Sequence, residues 1–178
     1  MAGYRNIITD EDPLLRQPCV QVQRFGTTLH NLMDDMRVTL YHSNGVGLAA
    51  PQVGVSKRVI VADDRENPYV EMVNPRIIES SGCEEDVEAC LSVPDRAGWV
   101  RRATKIKVAY QDRFGKEHTL KASGYQARVL QHEIDHLDGI LYTDVMTEEY
   151  VPEKDEKGRE KVPRDLTVAI DVDPFGMM

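Results

Sequence analysis

Two imidazoles stand four residues apart in residues 131–136, which read Gln-His-Glu-Ile-Asp-His. On a helix His132 and His136 lie one turn apart on the same face, so both rings can reach one metal ion. Glu133 then lies close enough to exchange protons with a metal-bound water. The segment predicts a metal-dependent hydrolytic site, although such a histidine pair also occurs on solvated helices.

A catalytic metal ion usually has three protein ligands and one open position, so the two histidines require a third partner. Cys90 is the candidate, because a thiolate is a strong ligand for a soft or borderline ion. Cys19 and Cys83 are interpreted as buried small hydrophobic side chains. Upstream, residues 45–52 combine small residues that permit close backbone packing with Gln52, whose amide can donate a hydrogen bond.

Two helices are predicted from periodicity and end signals. Ser123 and Gln126 form a capping-box pattern before the histidine pair, and Gly139 stands where a helix of this length should end. Residues 25–42 form the second helix, because apolar side chains recur there at spacings of three and four. That buried stripe consists of Phe25, Leu29, Leu32, Met33, Met36 and Leu40.

Short apolar segments between these helices predict β-strands. They cover residues 59–61, 69–73, 76–78 and 106–110, and residues 112–115 are suited to a hairpin turn. One helix precedes the strands and the histidine-bearing helix follows them. This order favours an α+β fold over alternating α/β units.

Composition limits the class of protein. The chain has 178 residues, which suits one compact domain, and a formal net charge of −8, which argues against a general nucleic-acid binder. No apolar run approaches the length of a membrane span, and the start of the chain lacks the apolar core of a signal peptide. Three cysteines without disulfide-framework spacing favour the reducing cytoplasm.

The C-terminal part of the chain has a different composition. Residues 148–165 contain seven acidic and five basic side chains, two prolines and few apolar residues. Such a segment buries little surface, so we expect a single catalytic domain at residues 1–147 and a charged extension at residues 148–178. Residues 166–172 alternate again and are candidates for an edge strand.

Three segments of the chain resemble, in order, the signature blocks of the peptide deformylase family. The family patterns are Gly-x-Gly-Leu-Ala-Ala-x-Gln, Glu-Gly-Cys-Leu-Ser and Gln-His-Glu-x-Asp-His, matched here by residues 45–52, 88–92 and 131–136. The resemblance covers residues 8–143, including the opening Asp-Pro-Leu-Leu-Arg at residues 12–16. One position departs, because Ala89 stands where the family has glycine.

The resemblance implies mixed and antiparallel strands packed around a central metal-binding helix, with an N-terminal helix. It implies removal of the formyl group from N-formylmethionine on newly made polypeptides. Cys90, His132 and His136 would hold one divalent metal ion, usually Fe²⁺, with Zn²⁺, Ni²⁺ or Co²⁺ as substitutes. Glu133 would take the proton of a water and pass it to the departing amine. The Gln52 amide and the Leu91 backbone N–H would stabilise the developing oxyanion.

Helical spacing adds a candidate substrate pocket. Tyr125, Arg128 and Val129 precede His132 by seven, four and three residues, so they lie on or near its face of the helix. Together with Gly45, Val46 and Gly47 they are candidates to enclose a methionine side chain, although ordinary core packing also fits Val129. The expected partners are N-formylmethionyl nascent peptides, with transient proximity to the ribosome, and neither nucleic acid nor membrane.

Two other interpretations remain open. A zinc peptidase of the His-Glu-x-x-His class would take a third ligand downstream of the helix, where Asp144, Glu148 and Glu149 are available. A structural metal module or an inactive deformylase homologue is the other interpretation, and a structural site requires a closed fourth ligand. No second Cys or His stands near Cys90 or the histidine pair in sequence to supply that ligand.

Overall fold

The computed structural model describes residues 1–154 and 156–161. Three helices lie in this part of the chain: α1 (Thr27–His42), α2 (Gly124–Leu137) and the one-turn α3 (Tyr142–Val145). Short 3-10 turns cover Pro13–Arg16 and Ala50–Val53. The strands are β1 (Gly47–Ala49), β2 (Val59–Ala62), β3 (Val70–Ser81), β4 (Glu84–Cys90), β5 (Val93–Arg102), β6 (Lys105–Gln111), β7 (Glu117–Ser123), β8 (Glu148–Glu149), β9 (Glu153–Lys154) and β10 (Glu160–Lys161).

The larger sheet has five antiparallel strands in the order β1-β2-β3-β6-β7. Strand residues alternate between its two faces, so each face has its own apolar core. Ile60, Met72 and Val108 pack with Leu130 of α2, whereas Val59 and Val61 belong to the cluster that α1 joins. The histidine-bearing helix is therefore held rigidly against one face of the sheet.

The smaller sheet has the order β4-β5-β8 and carries Cys90 at the end of β4. Edge strands of the two sheets, β1 and β4, both contribute residues close to α2: Gly47 lies against Glu133, and Glu88 bonds His132. The candidate site thus lies where two sheets and one helix meet. The α+β class predicted from element order is confirmed by the architecture and by the structural relatives described below.

The prediction of two strands at residues 69–73 and 76–78 differs from the structure, in which β3 is continuous. A register shift against β6 lies between Val73 and Arg76, and Asn74 there adopts φ 50°. Such a bulge accommodates Pro75 without a break in the strand. The Asn74 amide also bonds both the N–H and the C=O of Val22, so a distant loop stabilises the bulge.

Two further local predictions are corrected. Ser123 is the N-cap of α2 by position, but its side chain makes no capping hydrogen bond, so the predicted capping box does not form. The Gly124 N–H bonds the Thr104 carbonyl at 2.9 Å instead, which satisfies one of the free donors of the first turn. Cys83, which was predicted to be buried like Cys19, is exposed directly before β4. The hairpin of β4 and β5 was not predicted, because the acidic start of β4 lacks an apolar alternation.

The start of the C-terminal segment belongs to the smaller sheet. Glu148 and Glu149 pair with Trp99 and Gly98 of β5, and the Tyr150 N–H bonds the Ala97 carbonyl at 2.9 Å. The extension predicted to begin at residue 148 therefore keeps contact with the domain for three residues. Residues 166–172, the predicted edge strand, lie outside the described residues. Among the described residues, none of the helices combines the length and hydrophobicity that a bilayer crossing requires.

Candidate functional site

Three potential metal ligands converge from two elements. His132 and His136 project from the buried face of α2, and Cys90 ends β4; one ligand atom from each residue lies within 4.8 Å of those of the other two. The Cys90 Sγ is 3.4 Å from the His136 Nε2, and all three side chains are buried. One thiolate and two imidazoles are a donor set that fits Zn²⁺ or Fe²⁺ with one position left open.

Glu88 determines which nitrogen of His132 is free to bind a metal ion. Its Oε1 lies 2.8 Å from the His132 Nδ1, so that nitrogen carries the proton and Nε2 faces the cluster. Burial by itself raises the pKa of a carboxyl, but the hydrogen bonds from His132 and Arg102 outweigh it and hold the pKa of Glu88 well below its usual range. Glu88 is therefore a buried, ionised group that orients a ligand histidine.

Two buried arginines complete the hydrogen bonding of Glu88. Arg102 donates to both carboxylate oxygens at 2.9 Å, and Arg128 donates to Oε2 at 2.7 Å. Arg102 also bonds Asp135 at 2.5 Å, which links the helix to β5. The structure pairs both carboxylates with Arg102.

Glu133 occupies a contrasting environment. Only 4% of its surface is exposed, and its Oε2 has no hydrogen-bond partner among the described residues. Burial raises the pKa of Glu133 to about 7, which suits a group that accepts and returns a proton near neutral pH. A Cβ at Gly47 would lie 2.6 Å from the Glu133 Oε1, so a glycine is needed there to leave room for this carboxyl.

Gln52 is fixed beside the thiol. Its Oε1 accepts the Ala49 N–H at 2.9 Å, and its Nε2 lies 3.1 Å from the Ser92 Oγ and 3.5 Å from the Cys90 Sγ. This orientation turns the amide donor toward the cluster, as an oxyanion-stabilising role requires. Leu91, the other predicted donor, lies in the turn between β4 and β5, directly after Cys90. Ser92, which was not singled out from the sequence, contributes to holding the amide.

A pocket next to the cluster collects part of the predicted substrate-binding set. Val46, Tyr125 and Val129 contribute to its wall, together with Val87, Glu88, Ala89, Arg128, His132 and Glu133. The Arg128 guanidinium is committed to Glu88 and to the carbonyls of Glu84 and Val100, so we assign it a positioning role. Gly45 and Gly47 lie beside this wall, where they allow close contacts with Leu91 and Glu133.

The residue that departs from the family pattern fits its backbone. Ala89 is not among the residues with positive φ, so this position does not demand glycine. The register of β4 against β5 shifts between Glu88 and Cys90, which places Ala89 at the irregularity. Its side chain packs against the small apolar cluster of Val87 and Ala97. Ala89 therefore fits the strand without a positive φ, and the adjacent Cys90 lies with the two histidines.

Tyr142 was not predicted from the sequence but contributes to the site. Its ring stacks on that of His132 at 6.0 Å between centroids with 21° between planes, and only 1% of the residue is exposed. It follows His136 by six residues and is the first residue of α3. The sequence contains no pattern that predicts this contact, because Tyr142 lies outside the helix that carries the histidine pair.

Known proteins are similar to this chain in sequence and in structure. The sequence model of the polypeptide deformylase family matches residues 4–151. Curated peptide deformylases of Caldicellulosiruptor bescii and Pelotomaculum thermopropionicum are 48% and 50% identical to this chain, over 88% and 81% of it and 96% and 92% of their own lengths. A crystal structure of a peptide deformylase from Legionella pneumophila superposes with a TM-score of 0.78 and 42% identity, covering 81% of this chain and 86% of that one. The chain therefore belongs to the polypeptide deformylase family.

Proposed function

We propose that this protein is a metal-dependent hydrolase that removes the formyl group from N-formylmethionine at the N-terminus of newly synthesised polypeptides. The observation that supports this activity best is the convergence of Cys90, His132 and His136 beside a buried Glu133, one oxygen of which has no hydrogen-bond partner among the described residues. The relatives, which carry the name peptide deformylase, cover most of this chain and most of their own lengths.

We propose that these three ligands hold one divalent ion, which is Fe²⁺ in the cell and which Zn²⁺, Ni²⁺ or Co²⁺ can replace. The Irving–Williams order explains the substitution, because a Cys/His₂ site binds whichever tighter-binding ion is available. Such an ion supplies Lewis acidity and lowers the pKa of a water molecule, so a nucleophile is present at neutral pH. Glu88 and Tyr142 keep the His132 ring in place to meet the ion.

The residues around the ligands divide the remaining work. Glu133 takes the proton of the attacking water and passes it to the departing amine. The Gln52 side-chain amide and the Leu91 backbone N–H stabilise the charge that forms on the formyl oxygen. Val46, Tyr125 and Val129 surround the methionine side chain of the substrate. Their apolar surfaces enclose a narrow pocket and exclude water from that side chain.

We further propose that the substrates are N-formylmethionyl nascent peptides and that the enzyme meets them in the cytoplasm, close to translating ribosomes. Proximity to ribosomes fits the reaction, because the formyl group is present only at the start of a new chain. The net charge of −8 supports encounter with the peptide rather than with RNA.

Anaerobic purification followed by metal analysis and a deformylation assay tests the proposal. We expect one divalent ion per chain and release of formate from a short formyl-Met peptide, whereas the corresponding acetyl-Met peptide should release no acetate. Chelation should abolish the release and Fe²⁺ should restore it. A metal-loaded protein that releases no formate would overturn the assignment.

The zinc-peptidase alternative receives no support from the geometry. Two of its candidate third ligands, Asp144 and Glu149, form ion pairs with Arg16 and Arg96, and neither belongs to the cluster. The substitution Cys90→Ala separates the two functions. Deformylase chemistry predicts loss of the bound ion and of activity, whereas full metal occupancy in this variant would favour the peptidase.

A further inference from the structure

The loop that carries Val46 into the pocket wall has a sequence that leaves its backbone flexible. Asn44 adopts φ 56°, and the residues on either side of Val46 are the glycines Gly45 and Gly47. Glycine permits many backbone conformations, so this segment keeps one shape only where contacts from outside restrain it. Both glycines are buried, which means that the restraint must come from neighbouring elements.

Part of that restraint comes from α1, whose Leu40 carbonyl accepts the Gly45 N–H at 3.0 Å, and from the pairing of Gly47 with Ala62 of β2. The segment that follows β2 restrains the two carbonyls on either side of Val46. The Arg65 Nη2 donates to the Gly45 carbonyl at 3.0 Å, and the Asp63 N–H donates to the Val46 carbonyl at 2.8 Å. The two acceptors are the carbonyls of consecutive residues, one before and one after the Val46 side chain that lines the pocket. The first has a charged donor, which makes it stronger than an ordinary amide bond.

Arg65 is itself held in place by two neighbours. Its backbone N–H and its Nη1 bond the two oxygens of Asp63 at 2.9 and 3.1 Å, and its guanidinium carbon lies 5.0 Å from the centroid of the Tyr41 ring. The Tyr41 hydroxyl donates to the Asp63 Oδ2 at 2.6 Å. Arg65 has φ 67°, a conformation that these contacts must stabilise in a residue with a long side chain. The guanidinium is therefore aimed at Gly45 by a network anchored on α1.

We propose that Arg65 is a positioning residue that determines substrate selection: by fixing the Gly45 carbonyl it holds Val46 against the methionine side chain of the substrate. This inference rests on the proposed deformylase function. Gly45 also lies directly against the Leu91 side chain, since a Cβ at Gly45 would lie 2.8 Å from the Leu91 Cδ1. Arg65 thus acts on the pocket through the loop and does not touch the substrate.

The position of the network separates its effect from the chemistry. The three potential ligands and Glu133 lie on α2 and β4, which other contacts hold. Loss of the Arg65 bond should therefore leave metal content and kcat largely intact while the wall around Val46 loosens. A loose wall holds a long unbranched side chain less well, and it distinguishes that side chain less sharply from a small one.

Steady-state kinetics of three variants test the proposal: Arg65→Ala, Arg65→Lys and the control Arg37→Ala. Arg37 lies 4.4 and 6.0 Å from the Tyr69 and Tyr41 ring centroids, so it matches the aromatic contact of Arg65. For Arg65→Ala we expect KM for a formyl-Met peptide to rise roughly three- to tenfold, with kcat within about twofold. The preference for formyl-Met over formyl-Ala peptides should fall by a similar factor. Arg65→Lys should show a smaller loss, because a lysine keeps a charged donor, and Arg37→Ala should resemble the unchanged protein.

Hydrogen exchange of the metal-loaded protein without substrate gives a readout that does not require activity. Amides of residues 45–47 should exchange faster in Arg65→Ala than in Arg37→Ala, at matched melting temperatures. Equal exchange and equal KM in the two variants would overturn the role of Arg65. An unchanged protein that fails to deformylate would instead refute the proposed function, while the exchange result would still report on the loop.

Discussion

Two carboxylates in the site differ in what surrounds each oxygen. Both Glu88 oxygens accept hydrogen bonds from buried cationic or N–H donors, so the carboxylate stays ionised. Glu133 keeps one oxygen without a partner among the described residues, and burial raises its pKa to about 7. Divergent environments of this kind assign different roles to chemically identical groups. Glu88 suits orientation of a ligand, and Glu133 suits proton transfer.

Substitution of Glu133 tests that division at the residue scale. We predict that Glu133→Gln and Glu133→Ala retain the bound metal but lower kcat/KM roughly a hundred- to ten-thousand-fold, because neither side chain can carry the proton. Metal analysis and steady-state kinetics on a formyl-Met peptide measure both quantities. Loss of metal from both variants, or near-normal turnover, would show that Glu133 has a different role.

At the scale of elements, one side chain, Arg128, joins α2 to the hairpin of β4 and β5. We call Arg128 and its three acceptors the clamp. Arg128 reaches from the helix to Glu88 and to two carbonyls of the hairpin, those of Glu84 and Val100. Only 6% of Arg128 is exposed, so its guanidinium is shielded from water and bonds these three acceptors instead. The clamp fixes the distance between the strand that ends in Cys90 and the helix that carries the histidines.

Removal of the clamp should weaken both the fold and the metal site. For Arg128→Ala we predict a free energy of unfolding lower by about 3–5 kcal/mol, because a buried carboxylate loses one of its cationic partners. Affinity for the metal should fall by about 10- to 100-fold, the usual effect of losing support behind a ligand. Denaturant unfolding and competition with a chelator measure the two effects.

Arg101→Ala is the matched control for this experiment. Arg101 lies on the same hairpin and pairs with Glu85, but 68% of its side chain is exposed. An exposed ion pair contributes little, so we predict a change in unfolding free energy within about 0.5 kcal/mol and unaltered metal affinity. Similar losses in the Arg101 and Arg128 variants would contradict the assigned role of the clamp.

The hairpin also explains why alanine at position 89 is tolerated. We predict that Ala89→Gly changes the deformylation rate by less than about tenfold and lowers stability by about 0.5–1 kcal/mol, because a glycine in a strand loses more conformational freedom on folding. The Ala89 contacts with Val87 and Ala97 disappear at the same time. Kinetics and thermal unfolding of the variant give both values. A large gain in activity would mean that Ala89 restrains the enzyme.

At the scale of the whole molecule, contacts with β5 continue past residue 147, the domain end that composition predicts. Glu149 forms two hydrogen bonds with Arg96 at 2.9 Å, and the Tyr150 and Trp99 rings lie 6.2 Å apart. The family match also extends to residue 151. These contacts favour a domain that ends about four residues later than composition predicts.

Two truncations distinguish the boundaries. We predict that a chain ending at Val151 keeps the melting temperature, metal content and catalytic rate of the full chain. A chain ending at Thr147 should keep the rate on a short peptide but lose about 1–3 kcal/mol of stability, since β8 and the Tyr150 contact are removed. Thermal unfolding and the peptide assay test both. A large loss of stability in the longer fragment would show that residues beyond 151 belong to the fold.

Local patterns in the sequence determined the helices, the α+β class and the potential ligands. The stripe from Leu29 to Leu40 is buried as predicted, because helical periodicity depends only on residues three or four apart. The histidine pair is readable for the same reason. Cys90 could not be identified as a ligand from its residue type alone. The resemblance of three ordered segments to the family patterns identified it. Each of these inferences uses information that lies close together in the chain.

Only the tertiary structure decided how the site is supported. Glu88 gains its partners from positions 14, 40 and 44 residues away, and no local pattern indicates that a carboxylate so placed will be buried and ionised. Asn74 in the bulge bonds Val22, and Gly45 in the pocket loop bonds Arg65, across 52 and 20 residues of chain. Burial and pairing of a polar group are properties of the atoms that packing brings around it. The sequence specifies the side chain, and the fold determines whether that side chain is buried, ionised and hydrogen-bonded.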